Sequence, residues 1–332
     1  MTTATIDTSA KRHILSADQF DPDLLAMLFA RADALRDWLG RGNLRRNVSA
    51  ALREQILHLL FYAPSTRTYM SFAYAAHHMG MRVEGNESVQ FSSVSKGESE
   101  LDTFTTIAGY GPSVIVLRSK SVGDAARAAA ISPCPVINAG DGSGEHPTQA
   151  VLDLYTLQKE LGRLTELTIM MGGDLWNGRT VRSLAKLAAM YPGNRFIFAA
   201  PPTFGMQPDI LGHLDSLGIH YQQVTDFRPY LSEVDAVYWT RVQAERLTAD
   251  QQAYVGSLGL PDGEKPTFPE FTLGLADVRR MRPEARLLHP LPRVGEIHTD
   301  VDADPRAAYI RQMRNGMDVR MALIEYVLGH LD

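Results

Sequence analysis

Residues 56–79 read ILHLLFYAPSTRTYMSFAYAAHHM, and this stretch decides the architecture. The run 56–62 is short, apolar and stopped by Ala63-Pro64, which predicts a buried strand. Residues 66–79 then predict a helix. A strand, a tight turn and a helix form the repeating unit of an α/β fold, and the same alternation extends outward. Strands are expected at 113–117, 135–138, 167–171, 195–199, 235–239 and 286–288. Helices are expected at 99–109, 122–131, 147–162, 179–191, 207–217 and 305–329. Upstream, Asp21-Pro22 predicts a helix start, with Leu24, Leu25, Leu28, Ala32, Leu35 and Leu39 at helical spacing before Gly40. Strands separated by helices imply crossover connections, hence parallel sheets covered on both faces. The fold class is α/β.

The chain has 332 residues, too many for one ordinary core, so two domains are expected. The junction is placed in the Gly-rich AGDGSGEHPT ahead of the helix at 147. Residues 258–270, rich in Pro and Gly, read as a surface loop, and the first dozen residues as a loose tail. With 45% hydrophobic and 21% charged residues the composition is that of a globular chain, not a disordered one. No apolar run reaches the roughly 18 residues of a membrane span, and the amino terminus lacks the apolar centre of a secretory signal. A cytoplasmic protein without membrane contact is expected. Cys134 is the only cysteine, which excludes an intrachain disulfide and a cysteine-rich zinc site. A net charge of −5 argues against a nucleic-acid partner.

In α/β proteins, ligands bind beyond the carboxyl ends of strands. After 56–62 come Ser65, Thr66, Arg67 and Thr68, which offer hydroxyls, a guanidinium and helix-start N–H groups suited to a phosphate-like anion. A lone Ser-Thr would be only a cap; two hydroxyls flanking an Arg favour the anion. Arg118 follows the strand 113–117, and His146 and Gln149 follow 135–138. Arg67, Arg118 and His146 therefore gather at one sheet edge. Lys96, in the polar segment 92–103, taken alone is a solvated loop lysine.

In the second half, MMGGDLWNGRT (170–180) has glycines at 172, 173 and 178, which do not fit the dinucleotide spacing; NAD is rejected. No nucleotide-triphosphate loop occurs either. Arg179 at a helix start and Arg241 with Gln243 after 235–239 predict a dicarboxylate ligand. His289-Pro290-Leu291-Pro292-Arg293 predicts a fixed turn whose carbonyls receive an amide N–H.

In order and spacing, Ser65-Thr66-Arg67-Thr68, His146-Pro147-Thr148-Gln149, Thr240-Arg241-Val242-Gln243 and His289-Pro290-Leu291-Pro292-Arg293 resemble the motifs of the aspartate carbamoyltransferases in the aspartate/ornithine carbamoyltransferase family. The resemblance runs from about residue 13 to the last helix. Ornithine-specific members share the first motif but carry a Cys-Leu-Pro segment where this chain has 289–292.

The resemblance implies transfer of the carbamoyl group of carbamoyl phosphate to L-aspartate, leading to pyrimidines, with no cofactor and no metal. It implies that Ser65, Thr66, Arg67, Thr68 and Arg118 hold phosphate, and that Thr68, Arg118 and His146 polarise the carbonyl. Gln149, Leu291 and Pro292 would take the amide nitrogen, and Arg179, Arg241 and Gln243 the aspartate carboxylates. Ser92 and Lys96 would come from the neighbouring subunit of a homotrimer, which overrides the solvated reading of Lys96. Residues 1–147 with 309–332 would form the carbamoyl-phosphate domain and 148–308 the aspartate domain, with a regulatory chain or dihydroorotase as further partners the family admits. The chain departs from the family pattern at Ala63, where a domain-linking acid is usual, at Tyr69, where an arginine is usual, and at Ala73. An alternative is a carbamoyltransferase for another amino acid or amine; another is a catalytically silent relative, against which the retained motif residues speak.

Overall fold

The computed structural model describes residues 11–41, 52–86, 93–259 and 267–331. The tail through residue 10, Ser92 and the middle of the 258–270 segment (260–266) lie outside these. The chain divides by contacts into two units. The first comprises residues 1–19, 26–148 and 317–332; the second comprises 20–25 and 149–316. The expected limits were 147 and 308.

The first unit is built on four parallel strands: β1 (Ile56–Phe61), β2 (Arg82–Asn86), β3 (Val114–Ser119) and β4 (Val136–Asp141), in the order β2-β1-β3-β4. Its connecting helices are α2 (Thr66–His78), α3 (Glu100–Gly109) and α4 (Asp124–Ile131). All six residues of β4 are buried, as befits a strand covered on both faces. Ser99 caps α3 by accepting from the Asp102 N–H.

The second unit holds five parallel strands: β5 (Thr168–Gly173), β6 (Arg195–Ala199), β7 (Tyr221–Val224), β8 (Ala236–Thr240) and β9 (Arg286–Leu288), ordered β7-β6-β5-β8-β9. Helices α6 (Arg179–Ala189), α7 (Pro208–Ser216), α8 (Ala249–Ser257) and the single turn α9 (Leu275–Val278) belong to it. Three further helices, α1 (Pro22–Gly40), α5 (Pro147–Leu161) and α10 (Tyr309–Val327), are each divided between the units. The Asp21 carboxylate accepts from the Leu24 N–H at 2.8 Å, the cap expected for α1. The carboxyl half of α10 packs within the first unit, where Glu325 pairs with Arg31, Asp318 with Arg36 at 2.7 Å, and Arg320 donates to the Ser71 hydroxyl at 2.9 Å. Its amino half belongs to the second, where Arg311 pairs with Glu160 of α5 at 2.6 Å.

Three expectations need correction. β2 and β7 were not anticipated, because RVEGN and YQQV carry no apolar run. Both are edge strands with one neighbour each and, unlike the edge strands β4 and β9, they are largely unburied, so polar residues suffice. Helix α8 was also not anticipated, although Thr248 and Gln251 form a complete capping box at its start. Finally, the segment 258–270 is not a surface loop at its end. Phe268 is buried, its ring packed edge-on against Phe204 at 4.8 Å, and Phe271 just beyond it is buried against Trp239. The Trp239 indole N–H donates to the Phe271 carbonyl at 3.0 Å. The Pro-rich composition concealed two aromatic anchors of the second core.

Candidate active site

In each sheet the strand order reverses direction once, between β1 and β3 and between β5 and β8. Crevices at such points are the natural ligand sites of open parallel sheets. Of the expected residues, 65–68 follow β1, Arg118 lies at the end of β3, Arg179 follows β5, and Arg241 and Gln243 follow β8, whereas His146 and Gln149 follow β4 and the 289–293 turn follows β9.

In the first unit, Ser65 occupies the cap position of α2, but its side chain caps nothing; its hydroxyl donates to Thr68 Oγ1 at 3.0 Å. The first-turn N–H groups of α2 are therefore not taken up by the residue that would ordinarily satisfy them. Thr66 and Arg67 are exposed and Thr68 is buried. The side-chain capping reading of Ser65 is not realised. Arg118 lies inside β3, opposite Phe61 of β1, rather than after the strand as expected. Its Nη1 donates to the Ala139 carbonyl at 2.9 Å, which orients the guanidinium at the strand end.

His146 is 4% exposed, with its Nδ1 3.4 Å from Thr148 Oγ1. It is delivered by a turn that Asp141 folds: one carboxylate oxygen accepts from Gly123 N–H at 2.9 Å, the other from Glu145 N–H at 2.8 Å. Lys96 is exposed at the end of a one-turn helix, Ser93–Lys96. Of the departures, Tyr69 has a structural role: its hydroxyl donates to the Gly85 carbonyl at 3.0 Å and its ring packs edge-on against Phe61. Ala73 is buried on α2.

In the second unit, Gly172 and Gly173 end β5 where β8 comes closest. A Cβ on the first would strike the Trp239 ring, and on the second, at φ +99°, the Thr240 carbonyl. Close strand approach, rather than a dinucleotide, explains these glycines. Asp174 follows, fully buried, and accepts from the Asn177 N–H at 2.9 Å and the Gln243 N–H at 2.8 Å. Burial raises its pKa, and the hydrogen bonds from Asn177 and Gln243 oppose that rise.

Asp174 thus ties the start of α6, where Arg179 is the first residue and 9% exposed, to the segment after β8. Arg241 in that segment grips Glu245 through both terminal nitrogens, at 3.1 and 2.5 Å. Burial would raise the pKa of Glu245, but its hydrogen bonds to Arg241 prevail and hold it low. The Gln243 side chain donates to the Arg241 carbonyl at 3.2 Å.

The 289–293 turn is held by its own histidine. The Leu291 N–H donates to His289 Nδ1 at 2.8 Å, so the ring proton sits on Nε2, 2.7 Å from a Glu296 carboxylate oxygen. Burial pushes the Glu296 carboxyl up, but the His289 contact outweighs it and the net shift is downward. Leu291 has φ +54°, a conformation that costs a non-glycine residue energy and is kept only where neighbours enforce it. Arg293 turns to Asp302 and Tyr309 instead. Gln149 donates from Nε2 to Asp153 at 2.8 Å. Asp141, Asp153, Asp174, Glu245, Glu296 and Gln312 were not singled out from the sequence. The only signal is position: five of the six are acids within a few residues of a singled-out segment, as in GlyAspGly at 140–142 and GlyAspLeu at 173–175, and Gln312 carries none. Among the described residues, no group of three His, Cys, Asp or Glu is arranged for a metal, and no helix is long and apolar enough to cross a membrane.

Two family models match the chain. The carbamoyl-phosphate binding domain of aspartate/ornithine carbamoyltransferases covers residues 12–159, and the aspartate/ornithine binding domain covers 165–327. An aspartate carbamoyltransferase of Arabidopsis thaliana, named as chloroplastic, is 41% identical over 95% of this chain and 77% of its own length. The aspartate carbamoyltransferase catalytic subunit of Methanothrix thermoacetophila is 39% identical over 96% and 98%. The crystal structure of Trypanosoma cruzi aspartate transcarbamoylase with carbamoyl phosphate and aspartate matches with a TM-score of 0.86 at 35% identity, covering 95% of this chain and 96% of that one.

Proposed function

The chain belongs to the aspartate/ornithine carbamoyltransferase family, and from that premise we propose how its residues carry out the reaction. It is an aspartate carbamoyltransferase: the carbamoyl group of carbamoyl phosphate passes to the amine of L-aspartate, giving N-carbamoyl-L-aspartate and phosphate. The observation that carries the acceptor assignment is the pair Arg179 and Arg241, set at the ends of β5 and β8 and linked through Asp174 and Gln243.

Ser65, Thr66, Arg67, Thr68 and Arg118 hold the phosphate. The amine lone pair attacks the carbonyl carbon, and Thr68, Arg118 and His146 stabilise the charge that grows on oxygen. The bond to the bridging phosphate oxygen then breaks, and the departing phosphate takes the amine proton. Gln149, Leu291 and Pro292 receive the amide N–H groups, and Arg179, Arg241 and Gln243 bind the aspartate carboxylates. Holding two anionic substrates in reacting geometry supplies about 7–11 kcal/mol of the barrier reduction. Each oxyanion donor adds roughly 3–4 kcal/mol. The proposal extends to a cytoplasmic homotrimer feeding pyrimidine synthesis, with Lys96 and Ser92 reaching the neighbour's site. The first unit is the carbamoyl-phosphate domain in this reading, and the second the aspartate domain.

The test is formation of carbamoyl-aspartate by the purified chain, with a panel of other amino acids and amines as competing acceptors. Saturable turnover with L-aspartate, and at least about a hundredfold lower kcat/KM for the others, is expected from two guanidinium partners lost on mismatch. Higher turnover with another acceptor would overturn the assignment of Arg179, Arg241 and Gln243.

Glu245 has a separable effect. It holds Arg241 in one rotamer, so Glu245→Ala is expected to raise the KM for aspartate about tenfold, the loss of one charge-assisted hydrogen bond. The KM for carbamoyl phosphate should stay as it was. A lowered aspartate KM would mean that Glu245 competes with the substrate for the guanidinium instead.

A further inference from the structure

A single buried carboxylate lies behind both parts of the amide-nitrogen site. Asp153 on α5 is fully buried and accepts hydrogen bonds from Gln149 Nε2 at 2.8 Å, Gln312 Nε2 at 2.6 Å and the Tyr238 hydroxyl at 2.7 Å. Gln312 in turn accepts the His289 N–H through Oε1 at 2.9 Å. His289 holds the Leu291 N–H. One chain of hydrogen bonds therefore runs from Gln149 through Asp153 and Gln312 to the Leu291-Pro292 turn.

The two ends of a glutamine amide are alike in shape and opposite in chemistry. A carboxylate has no proton to give, so it settles which end of each glutamine meets it. Gln149 must give Asp153 its –NH2, which leaves the carbonyl oxygen for other partners. Gln312 must do the same, which leaves its carbonyl for the His289 backbone. Tyr238 behaves consistently: burial, reinforced by the adjacent carboxylate, keeps its hydroxyl protonated and donating.

We propose that Asp153 is a specificity-determining positioning residue: its carboxylate fixes Gln149 as an acceptor and anchors the Leu291-Pro292 turn, so that the site selects acyl donors bearing –NH2. The inference rests on the reading of Gln149, Leu291 and Pro292 as the amide-nitrogen acceptors. With asparagine at 153, the amide can either accept or donate, and Gln149 is free to present its own –NH2 to the ligand's. A donor facing a donor loses the hydrogen bond that distinguishes a carbamoyl group from an acetyl group.

The experiment compares two stable phosphonates that differ only there, phosphonoacetamide and acetonylphosphonate, as competitive inhibitors against carbamoyl phosphate with the full chain. The unsubstituted protein is expected to prefer the amide, and Asp153→Asn to reduce that preference by at least about tenfold. Tyr238→Phe, which keeps the carboxylate and both glutamine contacts, should retain the preference. A purely structural lesion would weaken both inhibitors equally and leave their ratio unchanged. A ratio that survives Asp153→Asn overturns the role of Asp153 alone. If the unsubstituted protein shows no preference for the amide, the amide-nitrogen reading falls and this inference with it. Should Asp153→Asn fail to fold, Gln312→Met, which severs the arm to His289 while sparing Asp153 and Gln149, decides the matter. A several-fold smaller ratio supports the anchoring role, and an unchanged ratio overturns it.

Discussion

Arg67→Ala is expected to lower kcat/KM for carbamoyl-aspartate formation by at least about a thousandfold while the fold survives. The side chain is exposed, so its truncation opens no cavity in the core. It stands one residue into α2, beside a Ser65 hydroxyl that caps nothing, and in the proposed role its charge would act with the helix start on the phosphate. Both the ground-state phosphate and the charge leaving with it should feel the loss. Steady-state kinetics, with circular dichroism melting alongside, check both halves of the claim. Activity within tenfold of the unsubstituted chain would remove Arg67 from the site. An unfolded variant would instead mean that the α2 start depends on it.

Mixing two dead chains should restore activity. Lys96→Ala alone is expected to be nearly inactive, as is Arg67→Ala, yet each keeps the residue the other lacks. If Lys96 serves the neighbour's site in a closed trimer, every mixed trimer contains one junction where both residues are intact. Random mixing at equal ratio makes three-quarters of trimers mixed, with one competent site in three, so about a quarter of full activity should return. Dissociating and reassembling the two variants together, and assaying before and after, measures this directly. No recovery in verified mixed oligomers would place Lys96 in its own chain's site or in none.

What could be read from the sequence followed from how completely an element is buried. β1, β3, β4, β5, β6, β8 and β9 are apolar or end in apolar runs, and each lies within a residue or a few of its expected place. β2 and β7 are invisible to such a reading because their edge positions leave them largely unburied and polar, whereas β4 and β9, also at the edges, are mostly buried and apolar. The candidate motifs stood out because arginines and a histidine, Arg67, Arg118, His146 and Arg241, recur at or just beyond apolar runs. The acids that order the segments around them did not. Asp141, Asp153 and Asp174 act through backbone and amide partners brought together by the fold, and an aspartate in a strip of sequence looks the same whether solvated or fully enclosed. The segment 258–270 misled for the converse reason: its prolines and glycines announce a loop, while Phe268 finds its partner Phe204 more than sixty residues away.

The division of α1, α5 and α10 between two units has a consequence for how the protein is made. The first unit is mostly translated by residue 148, but its last piece, 317–332, emerges only after the entire second unit. At roughly 5–20 residues per second, that interval is on the order of ten to thirty seconds. During it, Arg31 and Arg36 lack the acids that later meet them, Glu325 and Asp318, both of which end up buried. A nascent first unit therefore waits on the ribosome with one wall open. A messenger whose second half is translated slowly should lengthen that wait and send more of the newborn chain to chaperones, without altering a single residue of the finished enzyme.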